Sequence, residues 1–154
     1  MKPRTPAAVP ASAAAGQSPL APGPHPARGE GVTYTVALPA GMKLLNSNDT
    51  FPHWRPRADL IKSIVDAAIV MTRNAKVPKL ERVVISAVYH PHDRRKRDAH
   101  NWSPSVKAAI DGIVRAGVLV DDDSEHVTDG GITLGAPVRG GQLVLVITPV
   151  DGAR

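Results

Sequence analysis

The residues able to do chemistry are concentrated between Tyr89 and Val127. A basic run, Arg94-Arg95-Lys96-Arg97, ends at Asp98, and three consecutive acids, Asp121, Asp122 and Asp123, lie downstream of a segment that carries Lys107. Carboxylates gathered at one place repel one another. They stay ionised when a cation joins them, and otherwise at least one pKa rises. Oxygen donors with few nitrogens and no sulfur favour magnesium, with manganese as the alternative. Such an ion polarises a phosphodiester and helps to generate hydroxide for in-line attack. Lys107 could place positive charge on the scissile phosphate, although its spacing equally permits an ordinary i,i+4 pair with Asp111. Arg94, Arg95, Lys96 and Arg97 would grip backbone phosphates without reading sequence. The plainer alternatives are a solvated acidic turn and a solvated basic loop. Asp98 meets the later acids only if the chain returns toward the start of the intervening helix.

Other chemistries find less support. His90 and His92 alternate, and His100 and His126 stand near the acids, but none of the standard zinc spacings appears. The chain has no cysteine, which excludes disulfides, thiolate metal sites and Cys nucleophiles and permits a cytoplasmic setting. It contains no Gly-rich phosphate loop of the Walker type and no serine-nucleophile motif. The length of 154 residues suits one domain, and with 42% hydrophobic but only 3% aromatic residues the core must be aliphatic. A net charge of +5 favours a polyanionic partner such as nucleic acid. No apolar run approaches a membrane span.

The elements that must position these groups read in order. Residues 1–30, rich in proline and alanine, are expected to be a disordered tail, with the domain over residues 31–154. Residues 32–38 alternate as a strand. Residues 46–57 are turn-rich and predict a long loop, whose Phe51, Trp54, Arg55 and Arg57 either stack on bases and touch phosphates or cap the core edge. Leu60, Ile61, Ile64, Val65, Ala68 and Ile69 predict an amphipathic helix from Ala58 to about Asn74. Residues 82–90 read as a central strand. Ser103 with Pro104 predicts a helix N-cap and first turn, and Gly117 a helix stop. Residues 126–134, interrupted by Gly130-Gly131, and residues 142–148 are two further strands, with a hairpin turn expected at Arg139-Gly140-Gly141. The resulting order β-α-β-α-β-β predicts an α/β (α+β) domain with two main helices on one face of a small mixed sheet.

The run DRRKRDAHN, then VKAAIDGIVRAGVLVDDDSEHV, resembles the RusA-like endodeoxyribonucleases, Holliday junction resolvases of phages and prophages. The likeness extends over the opening strand, Leu45-Asn46-Ser47-Asn48 and the closing strands, from about Val32 to Val150. It implies a homodimer that binds four-way DNA junctions and nicks two strands symmetrically with magnesium, in recombination and repair. A two-fold protein suits a two-fold junction. Carried over by position, Asp98 matches the first acidic ligand, Asp121 and Asp122 the paired acids, Lys107 the catalytic-site lysine, and Asn101 the Asn of the Asp-x-Asp-Asn motif, beside DNA. Where that motif has its second Asp this chain has His100, and a neutral imidazole is a poor partner for magnesium. The departure raises an alternative, a structure-selective DNA-binding module with weak or no cleavage.

Overall fold

A computed structural model describes residues 32–150, and the tail expected over residues 1–30 lies outside the described residues. Strand β2 (Val83–His90) is the axis of the fold. Its Val83, Ile85, Ala87 and Tyr89 are buried while the residues between them are half-buried, the period of two that a pleated strand imposes. Strand β4 (Gln142–Pro149) lies antiparallel beside it and buries Leu143, Leu145 and Ile147 on the same face. Strand β1 (Tyr34–Ala37) pairs antiparallel with the far side of β4. Strand β3 (Val127–Leu134) pairs parallel with the other side of β2. The four-stranded mixed sheet therefore has the order β1-β4-β2-β3, and with its two helices forms the α+β architecture expected.

Helix α1 (Trp54–Asn74) and helix α2 (Ser103–Arg115) cover the buried face. Leu60, Ile64, Val65 and Ala68 of α1 join Ala108, Ala109 and Ile113 of α2 in one core with the strands. The helices approach closely at Gly112, where an added Cβ would lie 2.5 Å from Ala68 Cβ and 2.6 Å from Val65 O. Among the described residues no helix is long and apolar enough to cross a membrane.

Four local expectations are corrected. β3 and β4 do not form a hairpin, because β2 lies between them. The connection instead wraps the end of β2, where Val138 N–H donates to Pro91 O at 2.9 Å and Gly135 N–H to Tyr89 O at 2.9 Å. The Arg139-Gly140-Gly141 turn uses positive φ at both glycines to redirect the chain into the sheet centre. α1 starts at Trp54 rather than Ala58, since Pro56 falls in the first turn, where its missing N–H costs no helical bond. Ser103 is the first residue of α2 and not its cap. Its hydroxyl donates to His100 O at 2.7 Å, and a short 3-10 helix (Ala99–Trp102) fills the place of a capping loop. Gly130 and Gly131 form a bulge rather than a break, with the pairing to β2 shifting between Ile85 and Ala87.

One buried contact fixes the long loop against the helices. The Ser105 hydroxyl, fully buried in α2, donates to Leu45 O at 2.8 Å and accepts from Leu45 N–H at 2.7 Å. The segment between β1 and α1 is thereby pinned beside the start of α2.

Candidate functional site

The sequence-predicted groups lie on three pieces of chain: the loop after β2, the first turns of α2, and the loop after α2. In the first, Asp93 rather than the basic run is the organising residue. Its carboxylate accepts from Arg95 N–H at 3.1 Å and Arg95 Nε at 3.1 Å, and meets Arg97 Nη2 at 2.6 Å and His92 Nε2 at 3.0 Å. The Arg95 backbone donor, then the Arg97 guanidinium, hold Asp93 well below the usual carboxylate range. Arg97 also donates through Nη1 to Asp93 O at 3.2 Å and Arg95 O at 3.1 Å. Its side chain is only 16% exposed. Arg97 is therefore a loop clamp, and Arg94 and Lys96, with Arg95 exposed though paired with Asp93, are the cations open to a phosphate backbone.

Asp98 closes this loop by capping the 3-10 helix, its Oδ1 accepting from His100 N–H at 3.0 Å. Asp98 and His100 are exposed. Asn101 faces the long loop instead of solvent alone: its carbonyl accepts from Ser47 N–H at 2.7 Å and its Oδ1 from the Ser47 hydroxyl at 3.2 Å. Trp102 stacks on Tyr89 with ring centroids 4.1 Å apart, seating the 3-10 helix on the end of β2. Burial there pushes the Tyr89 phenol up, with Arg97 opposing and Asp93 adding.

The chain does come back along α2. Lys107 Nζ lies 3.6 Å from Asp122 Oδ2, so the acids after the helix stand beside its N-terminal half. Asp111, one turn further along the same face, joins them. Burial raises its pKa, Lys107 opposes that, and the hydrogen bond with Asp122 adds to it. Asp122 pays for desolvation too, yet Lys107 and the hydrogen bonds with Asp111 and Asp121 hold it below its ordinary value. Of this pair Asp111 is the one that carries a proton more readily. The sequence pattern offered Asp111 only as a partner of Lys107, and its approach to Asp122 depends on a turn that spacing does not reveal.

Asp121 accepts from Asp122 N–H at 2.7 Å through Oδ1 and is exposed. The third acid is used differently. Asp123 Oδ1 meets His126 Nδ1 at 2.6 Å and accepts from Glu125 N–H at 3.0 Å, and the His126 contact lowers its pKa. Asp123 thus ties the turn that leads into β3. Of the other histidines, His90 Nδ1 lies 2.8 Å from Ala136 O and His92 pairs with Asp93. A cleft of about 890 Å³ lies elsewhere, lined among others by Lys79, Arg82, Val118, Val120 and His126. Asp98, Lys107, Asp121 and Asp122 do not line it.

The three pieces do not close into an ion cage. Among the described residues no three carboxylate or imidazole groups are placed to hold a metal ion. One oxygen of Asp98 serves the local cap. The arrangement offers a Lys107–Asp122 pair with further carboxylates at hand and, in a separate loop, exposed cations suited to phosphate. No protein-family model matches the chain, and no curated protein matches it by sequence.

Proposed function

We propose that this protein is a structure-selective, metal-dependent DNA endonuclease of the RusA-like kind, resolving four-way junctions by paired nicks in recombination and repair. The observation that carries the reading is Lys107 held 3.6 Å from Asp122, with Asp121 accepting from the Asp122 backbone N–H beside it. The exposed Arg94, Arg95 and Lys96 support it, since they suit phosphates contacted without regard to sequence. Lys107 would neutralise charge on the phosphate, and Asp121 and Asp122 would provide oxygen donors. Magnesium, or manganese, is the cofactor that such donors favour. Asp98 does not join them in the described arrangement, so no step through an ion is assigned to these residues. A homodimer acting on a two-fold junction in the cytoplasm of a bacterial or phage-infected cell completes the proposal.

The test is Asp122→Asn. Junction cleavage should be lost while junction binding persists, and cleavage at the wild-type rate in this variant would remove Asp122 from the reaction.

His100 at the position of the second acid, together with the lack of a three-donor group among the described residues, favours a second reading. In it the protein is a structure-selective DNA-binding module with weak or no cleavage. Both readings require binding that weakens steeply with salt, because phosphate contacts release counterions.

A further inference from the structure

We propose that Trp54, with Arg55 and Arg57 in the same helical turn, is a stacking platform for base faces exposed at the branch point of DNA, an inference that rests on the DNA-acting reading above. Aromatic residues are scarce in this chain at 3%, and the others in this region are used inside: Phe51 packs against the core and Trp102 stacks on Tyr89. Trp54 is 72% exposed. The Arg55 guanidinium carbon lies 4.9 Å from the centroid of its ring, a cation–π contact that backs the indole with positive charge.

The charge around it points to an anionic partner. The first turn of α1 contains no acid and instead carries Arg55 and Arg57. Cations there oppose the helix dipole, so the arrangement is unfavourable in the isolated chain and is relieved when phosphates lie against it. An exposed ring with a guanidinium over one face fits a base on its other face and phosphates beside the cations of the same turn. Linear duplex keeps its base faces stacked along its length, whereas a branch point in its open form exposes the faces of the pairs around it. The segment leading to Trp54 is also anchored where the site begins. Ser47 is hydrogen-bonded twice to Asn101, in the turn that Asp98 caps.

The experiment uses the full chain and a four-way junction carrying 2-aminopurine at the crossover, with single-stranded oligonucleotide and linear duplex beside it at fixed salt. Wild-type protein should change the 2-aminopurine fluorescence. Trp54→Ala should abolish that change and weaken junction and single-strand binding about tenfold, with duplex binding unaltered and Trp54→Phe largely restoring it. Unchanged fluorescence response and affinity in Trp54→Ala would overturn the platform, as would an equal loss on linear duplex. If wild-type protein gives the fluorescence change but nicks nothing, the nuclease reading fails and the platform stands. If wild-type protein nicks junctions and Trp54→Ala binds them equally well, the platform alone fails.

Discussion

Replacing Ser105 by alanine tests how the candidate site is held. Ser105 is fully buried, and its single hydroxyl satisfies both backbone groups of Leu45, itself 2% exposed, at 2.7 and 2.8 Å. Alanine removes the oxygen and leaves a buried N–H and a buried C=O without partners. Each such group costs about 1–3 kcal/mol, so the pair costs roughly 2–6 kcal/mol, and partial hydration of a loop brings this toward roughly 2–4 kcal/mol. That is a large share of the ~5–15 kcal/mol by which domains are stable. The contrast is Ser103→Ala, where an exposed hydroxyl bonded to His100 O is lost and water replaces it, at a cost within about 1 kcal/mol. Urea unfolding gives both numbers, and amide hydrogen exchange at Leu45 reports the local effect. Loosening should extend to Ser47 and Asn101, and junction affinity should fall with it. A Ser105→Ala protein as stable as Ser103→Ala, with Leu45 still protected, would refute the clamp.

Three further outcomes are expected. Gly112→Ala should destabilise, because the ~1 kcal/mol that alanine gains in a helix is outweighed by about 1–3 kcal/mol of overpacking against Ala68 and Val65, and a raised melting temperature would contradict this. Thr72→Val should stabilise by about 1 kcal/mol, since the buried Thr72 hydroxyl has no hydrogen-bond partner, and a loss of stability in urea unfolding would count against it. Asp93→Asn should be less stable than wild type at pH 7. The folded-state pKa of Asp93 is depressed, so its contribution is present above the unfolded value of about 4 and is lost as pH falls through the folded one. Melting temperatures of the two proteins should converge below about pH 4, and a gap that widened in acid would reverse the assignment.

The sheet and helices were legible because burial follows period: Val83, Ile85, Ala87 and Tyr89 alternate along β2, and the stripe on α2 ends at Gly117, where φ is +95°. Pairing was less legible. Neighbouring strands in sequence invite a hairpin, but β3 joins β2 in parallel and leaves the centre to β4, a choice made by non-local packing. Within the candidate site, residue types named Lys107 and Asp122 separately, whereas the approach of Asp111 to Asp122 arises from the return of the chain. The basic run looked uniform. Which of its cations is consumed depends on the turn at Asp93, and that geometry withdraws Arg97 from the phosphate-facing set. Trp54 changed from loop to helix for a comparable reason, as a first-turn proline reads as a breaker until the turn is located.

The proposed cutting of branched DNA by this basic, acid-clustered domain is open to direct assay. The most direct measurement is cleavage of an end-labelled synthetic four-way junction, beside linear duplex of the same sequence, in magnesium, manganese or EDTA. Paired nicks on the junction, absent from the duplex and abolished by EDTA, are the predicted result. Intact junctions in both metals, with binding retained, would contradict the nuclease reading and leave the DNA-binding module, with His100→Asp as the variant to assay next.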